Sequence, residues 1–123
     1  MSTILIVDDS PAIRGAIRSR FVGCSGLVVC GEAADGLDAI EKARTLKPDL
    51  IVLDISMPRL NGVEAASILK GLLPDVRILA FTMYAEALEN SLAAAVGIDA
   101  VLSKPEGITQ VVDRVRALLP PAA

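Results

Sequence analysis

Short apolar runs alternate along this chain with longer stretches in which apolar residues recur every three or four positions. The runs are rich in branched side chains and predict five buried strands, at 4–7, 27–31, 50–53, 76–81 and 100–103. The periodic stretches predict five helices, at 11–22, 37–46, 62–73, 85–96 and 108–119. Such alternation favours a mostly parallel sheet with helices on both faces.

Composition narrows the class of protein. The chain has 123 residues, 53% hydrophobic and 22% charged, which predicts one folded domain over 1–123. A net charge of −3 without a basic cluster argues against nucleic acid or an anionic membrane as a partner of this segment. No apolar stretch reaches membrane-spanning length, so we expect a soluble protein inside the cell.

The two cysteines, Cys24 and Cys30, lack metal-ligand spacing, and the chain has no histidine. Two buried or half-buried thiols are the simpler interpretation, and a disulfide across the turn between them stays open.

Polar residues follow four of the five predicted strands directly. Asp8 and Asp9 follow the first, Asp54 the third, Thr82 the fourth and Lys104 the fifth. Because the carboxyl ends of parallel strands share one edge, these residues are expected to converge on one pocket. The second strand contributes none of them, which is typical of an outer strand.

The charges of this pocket indicate what it binds. Three carboxylates against one ammonium leave a formal charge of about −2, and two like charges 4 Å apart repel by about 4 kcal/mol at an effective dielectric constant of 20. Oxygen ligands without sulfur or imidazole suit Mg²⁺ or Mn²⁺. A hard cation beside a carboxylate, a lysine and a hydroxyl is equipped for phosphoryl transfer, with Asp54 as the acceptor nucleophile.

The motifs together resemble the receiver domain of bacterial two-component response regulators. They are Asp8-Asp9, Leu53-Asp54, Met57-Pro58, Gly62, Thr82 and Lys104-Pro105. The run 53–58, with Asn61-Gly62 and the run 81–84, is similar to receivers of regulators with a LuxR/NarL-type DNA-binding domain. The resemblance implies a flavodoxin-like three-layer sandwich of five strand–helix units, with strand order 2-1-3-4-5.

The resemblance also implies a ligand set. The phosphoacceptor position of the family falls on Asp54. The Mg²⁺ ligands fall on Asp8, Asp9, Asp54 and the backbone carbonyl of Ser56, with Asp9 a direct ligand and with Mn²⁺ able to substitute.

The switch positions of the family fall on the last two strands and the loops after them. Thr82 matches the hydroxyl that moves to the phosphoryl group, and Lys104 the lysine that neutralises its oxygens. Pro105 matches a proline whose preceding bond is usually cis. Val101 stands where the family usually has an aromatic residue, so coupling is expected to use loop and helix displacement; Tyr84 is the nearby aromatic.

The implied function is that of a cytoplasmic signalling domain. It takes a phosphoryl group from a sensor histidine kinase or phosphotransfer protein and slowly hydrolyses it, so it catalyses its own modification without being an enzyme in the usual sense. Without histidine it cannot be the phosphohistidine donor. The chain is expected to be a single receiver without an output domain, either stand-alone or cut from a longer regulator that carries a DNA-binding domain. Its C-terminal helices leave room for a homodimer face.

Three other classes share part of this pattern. A haloacid-dehalogenase-type, Mg²⁺-dependent phosphohydrolase needs Asp-x-Asp after its first strand, whereas Asp8 and Asp9 are adjacent. A flavodoxin needs aromatic walls for its flavin, and aromatic residues are only 2% of this chain. A receiver-like binding module that works without phosphorylation is the third alternative, against which the retained polar residues argue.

Overall fold

The computed structural model describes residues 1–55, 61–83, 90–104 and 106–120. Within these ranges the strands are β1 (Ser2–Val7), β2 (Leu27–Ala33), β3 (Leu50–Leu53), β4 (Arg77–Thr82) and β5 (Ala100–Ser103). The α-helices are α1 (Pro11–Phe21), α2 (Gly36–Leu46), α3 (Gly62–Leu72), α4 (Asn90–Ala95) and α5 (Val111–Leu118). A 3₁₀ helix (Glu106–Gln110) precedes α5.

The five strands form one parallel sheet in the order β2-β1-β3-β4-β5. This order confirms the predicted topology and the outer position of the second strand. β1 and β3 lie next to each other in the interior of the sheet, so the acidic residues that follow them come from neighbouring strands.

The sheet is buried on both faces. Successive side chains of a strand point to opposite sides, so each strand contributes to two core clusters. Leu5 and Val7 of β1 pack into a cluster with the buried alanines of α2 and α3. Ile4 and Ile6 pack into a second cluster with buried residues of α1 and α5. The protein is therefore a three-layer, flavodoxin-like sandwich, as predicted. Every helix in the described ranges is too short or too polar to cross a lipid bilayer.

Two of the boundaries that differ from the sequence prediction have a clear structural cause. β2 continues to Ala33, because the ladder is extended by a bond from the Asp8 amide to the Ala33 carbonyl (3.1 Å). The last helix becomes α-helical only at Val111, after a 3₁₀ segment that includes Gly107. A Cβ on Gly107 would lie 2.6 Å from Cγ of Leu102, so the glycine lets this segment pack close to the sheet. Of the predicted helix 85–96, residues 85–89 lie outside the described ranges.

Candidate functional site

The register of the central strands places Asp8 and Asp54 next to each other. Val7 is paired with Leu53 at the ends of β1 and β3. The ladder continues one residue further, since the Asp54 amide donates to the carbonyl of Val7 (2.9 Å). Asp8 and Asp54 therefore lie directly after the last regular pair of the two strands, and their side chains meet at the same edge of the sheet.

Burial singles out this edge. In the described part of the chain, the buried polar or charged residues are Asp8, Asp54 and Thr82, with 1%, 4% and 0% of their surface exposed. Asp9 is exposed. One carboxylate oxygen from each of the three aspartates lies within 4.8 Å of the others. The three aspartates therefore converge at one edge, as predicted.

Lys104 reaches this acidic cluster from the end of β5. Its Nζ lies 2.5 Å from Oδ2 of Asp8 and 3.5 Å from Oδ2 of Asp54. Nζ also lies 5.7 Å from the centroid of the Phe81 ring, within cation–π range. The Lys104 amide donates to the carbonyl of Thr82 (2.9 Å), which joins the ends of β4 and β5. One ammonium therefore contacts two buried carboxylates.

The turn that carries Asp8 and Asp9 is held by local hydrogen bonds. Oδ1 of Asp8 accepts from the Ser10 amide (2.9 Å), and Ser10 caps α1 by accepting from the Ile13 amide (3.2 Å). Pro11 occupies the first helical position, where its missing N–H is not needed. With both its oxygens engaged by Ser10 and Lys104, Asp8 is fixed, whereas Asp9 faces solvent.

Arg14 and Glu32 also belong to the site, and sequence reasoning missed both. Nη1 of Arg14 donates to the backbone carbonyl of Asp8 (2.7 Å), and its Nε donates to Glu32 (3.0 Å). Arg18 contacts the other oxygen of Glu32 at 2.7 Å. The hydrogen bond from Arg18, helped by Arg14, lowers the pKa of Glu32 below its usual value although partial burial opposes this. Neither arginine lies within four residues of Glu32 in sequence, so no local pattern signals the contact.

Gly62 packs directly against the phosphoacceptor candidate's main chain. Its amide donates to the carbonyl of Ile55 (2.8 Å) at the start of α3, which Asn61 caps through the Glu64 amide (3.0 Å). A Cβ at position 62 would lie 2.5 Å from Cα of Ile55 and closer still to the carbonyl oxygen of Asp54. Only glycine allows this approach of α3 to the end of β3.

The remaining predicted positions are more distant or not described. Val101 is half-buried and packs against the core cluster on the side of α2 and α3. Ser56, Tyr84 and Pro105 lie outside the described residues, as do Met57 and Pro58. Cys24 and Cys30 are both free, half-buried thiols.

The donor set fits a hard divalent cation. Three carboxylates and one ammonium leave an excess of negative charge in a small volume. Carboxylate oxygens are the ligands that Mg²⁺ prefers, and among the described residues no sulfur or imidazole competes for this position. The cluster is thus an acidic pocket of the kind that binds Mg²⁺.

Comparison with known proteins identifies the family. Residues 4–116 match the family model described as "Response regulator receiver domain". The chain belongs to this family. The receiver is 38% identical over 113 residues to the response regulator protein VraR of Staphylococcus aureus, a match that covers 92% of this chain and 54% of VraR. The chain thus spans about half the length of the curated relatives it matches.

Solved structures confirm the fold. The receiver superimposes with a TM-score of 0.86 on the response regulator domain of Thermotoga maritima CheB, at 29% identity, covering 98% of this chain and 99% of that one. A LuxR-family response regulator from Aurantimonas sp. SI85-9A1 gives a TM-score of 0.85 at 30% identity, covering 96% and 84%. The predicted family is confirmed, and its structural relatives include receivers of both chemotaxis and LuxR-family regulators.

Family membership bears on the alternatives. Receiver domains of response regulators are phosphoacceptors in two-component signalling and interact with kinases or phosphotransfer proteins. Neither the phosphohydrolase nor the flavodoxin finds support in these matches, and nothing favours a module that works without phosphorylation.

Proposed function

We propose that Asp54 is the phosphoacceptor and that it takes its phosphoryl group from a phosphohistidine of a sensor kinase or phosphotransfer protein. The observation that carries the proposal is the position of this carboxylate. Asp54 is buried at the end of β3, within reach of two other aspartates and 3.5 Å from the ammonium of Lys104. Phosphoryl transfer depends mainly on positioning and charge compensation, and this arrangement supplies both.

Mg²⁺ is the proposed cofactor, and Mn²⁺ would satisfy the same ligands. Asp8, Asp9, Asp54 and the backbone carbonyl of Ser56 would hold it, with the exposed Asp9 as a direct ligand. When bound, the cation supplies positive charge to the phosphoryl oxygens. The excess negative charge of the pocket supports this assignment.

The side chains of the receiver have separate parts in the proposed transfer. A carboxylate oxygen of Asp54 forms the new O–P bond as the N–P bond to the donor imidazole breaks, and the imidazole leaves with the electron pair of that bond. Lys104 turns from the carboxylates to the phosphoryl oxygens, and the hydroxyl of Thr82 donates to one of them. Water later attacks the phosphorus as the O–P bond to Asp54 breaks, which releases phosphate and restores the carboxylate. The receiver thus catalyses its own phosphorylation and dephosphorylation.

Phosphorylation would then shift the receiver between two packings. Asp54 gains about one further negative charge, which draws Lys104 and Thr82 inward and moves the ends of β4 and β5. Val101 has no ring to rotate, so loop and helix displacement would carry the change to the surface of the C-terminal helices, where a homodimer or an attached output domain would respond. We place this single receiver in the bacterial cytoplasm, where phosphoryl donors are made from ATP.

Labelling with a small phosphodonor tests the proposal. The receiver is incubated with acetyl phosphate, with and without Mg²⁺, and its intact mass is measured. We expect one phosphoryl adduct that requires Mg²⁺ and disappears in Asp54→Asn. Asp49→Asn is the matched control, because Asp49 precedes the same strand at the opposite end of the sheet and binds the Thr3 amide (2.8 Å). An adduct that persists in Asp54→Asn would refute the assignment.

The switch has its own test. Amide resonances of 90–95 and 111–118 are followed by nuclear magnetic resonance while beryllofluoride and Mg²⁺ are added as a phosphoryl mimic. We expect these resonances to move in the wild-type protein and to stay in place in Asp54→Asn. Wild-type helices that do not respond would contradict the switch while leaving phosphorylation itself intact.

A further inference from the structure

Arg14 connects the acidic turn to the outer edge of the sheet. Its guanidinium donates to the backbone carbonyl of Asp8 (2.7 Å) and to Oε1 of Glu32 (3.0 Å). The side chains of Arg14 and Glu32 are 18% and 30% exposed, so this contact lies partly beneath the surface. One rigid group thus ties the main chain of a metal-ligand candidate to β2.

A bulge in β2 brings Glu32 to the side of the sheet where Arg14 can bind it. Ile4 pairs with Val29 but Leu5 pairs with Gly31, so Cys30 is the extra residue. Val29 packs on the α1 side of the sheet, and Cys30 packs on the opposite side. Beyond the bulge the alternation is reversed, which turns Glu32 toward α1, where Arg14 and Arg18 bind it.

We propose that Arg14, anchored by Glu32, is a positioning residue of the phosphoacceptor site that holds Asp8 and Asp9 in place for the divalent cation. The inference rests on the proposed function, since it concerns the same cation. A carbonyl bound by a fixed cationic fork has little freedom to rotate, and the carboxylates on either side of that peptide inherit its orientation. Arg14 itself touches neither the cation nor the phosphoryl group.

The direction in which the Mg²⁺ affinity changes distinguishes a positioning role of Arg14 from a purely electrostatic one. A guanidinium beside the pocket repels a divalent cation, so removing its charge alone would tighten Mg²⁺ binding. Loss of positioning would weaken Mg²⁺ binding, because the ligands would then have to be ordered on binding. A weaker affinity in an Arg14 variant therefore cannot come from the lost charge.

Arg18 offers a matched control. Arg14→Met and Arg18→Met each remove one positive charge and one contact to Glu32, but only Arg14 binds the Asp8 carbonyl. Mg²⁺ is titrated into each protein and followed by the amide shifts of Asp8 and Asp9. We expect Arg14→Met to weaken Mg²⁺ binding about tenfold. This is the lower end of the loss in metal affinity that is typical when a group that orients the metal ligands is removed. Arg18→Met should leave the affinity unchanged or make it tighter.

Phosphorylation by acetyl phosphate gives a second readout. We expect Arg14→Met to need more Mg²⁺ for its half-maximal rate, while its rate at saturating Mg²⁺ matches that of Arg18→Met. Equal Mg²⁺ affinity in the two variants, or a rate that saturating Mg²⁺ fails to restore, would overturn the positioning role. A wild-type receiver that neither binds Mg²⁺ nor forms the adduct would instead overturn the proposed function.

Arg14→Lys covers the case in which Arg14→Met does not fold. Lysine keeps the charge but cannot span the Asp8 carbonyl and Glu32 with a planar fork. We expect weaker Mg²⁺ binding at unchanged net charge. Wild-type affinity in this variant would overturn the proposal.

Discussion

Lys104 and Asp8 are 96 residues apart in sequence, yet Nζ of the lysine lies 2.5 Å from Oδ2 of the aspartate. The contact joins the end of β5 to the end of β1 across the edge of the sheet where Asp54 also lies. Its side chains are only 9% and 2% exposed. The ammonium of Lys104 therefore balances buried negative charge that water reaches poorly.

Removing this ammonium should cost stability that Mg²⁺ can restore. We expect Lys104→Met to lower the free energy of unfolding in EDTA by about 3 kcal/mol, because buried carboxylates lose their counter-charge. Urea unfolding with and without Mg²⁺ measures this. Lys70→Met is the control, since Lys70 pairs with Asp99 (3.3 Å) near the start of β4, away from the acidic cluster, and Mg²⁺ should not compensate its loss. A Lys104→Met loss that Mg²⁺ leaves unchanged would contradict the charge argument.

Neutralising Asp9 should have the opposite effect. Asp9 adds charge to a cluster whose oxygens lie within 4.8 Å of one another. We expect Asp9→Asn to raise the free energy of unfolding in EDTA by about 1 kcal/mol, the repulsion of two charges in water at 4 Å, and to abolish stabilisation by Mg²⁺. In Asp113→Asn, which removes an exposed acid from the first turn of α5, Mg²⁺ should stabilise as in the wild type. Undiminished Mg²⁺ stabilisation in Asp9→Asn would exclude Asp9 as a ligand.

Two glycines of α3 should respond in opposite directions to alanine. At Gly62 the new methyl group would meet the backbone of Asp54 and Ile55, so we expect a loss of about 1–3 kcal/mol in unfolding free energy and slower phosphorylation. At Gly71 nothing lies within 4 Å of a Cβ, and we expect a gain of about 0.5–1 kcal/mol with unchanged phosphorylation. Thermal unfolding and acetyl phosphate labelling of both variants check this. A harmless Gly62→Ala would mean that α3 does not constrain the acceptor.

Glu32 should contribute to stability only above its folded pKa. Its pKa is lowered in the folded protein from the ordinary value of 4.5, chiefly by Arg18. The stabilisation is therefore present above about pH 4.5 and is lost as the pH falls through the lower folded pKa. Because Glu32 is partly exposed, we expect Glu32→Gln to cost less than about 1 kcal/mol at pH 7, shrinking on acidification. A pH-independent difference in urea unfolding would show that the lost contact is not ionic.

The strand ends could be predicted because they need only local information. Apolar runs such as 4–7 and 50–53 each end directly before an aspartate. The alternation of strands and helices predicts a parallel sheet. Asp8, Asp54 and Lys104 then share one edge whatever the details of packing. The family motifs added the strand order, which periodicity alone does not determine.

The contacts around Arg14 could not be predicted in this way. They depend on the bulge at Cys30, which reverses the faces of Glu32 and Ala33 relative to strict alternation. A bulge is a property of two paired strands, and the sequence of β2 alone does not reveal it. The 3₁₀ segment before α5 could not be predicted for the same reason, because the approach of Gly107 to Leu102 and Phe81 is a tertiary contact.

Reductive trapping tests the central assignment most directly. Borohydride converts a phosphorylated aspartate to homoserine, and peptide mass spectrometry then locates that residue after labelling with acetyl phosphate and Mg²⁺. We expect homoserine at position 54 in the wild-type receiver and none in Asp54→Asn. Homoserine at position 8 or 9, or none at all in a folded receiver that binds Mg²⁺, would contradict the assignment of Asp54 as the phosphoacceptor.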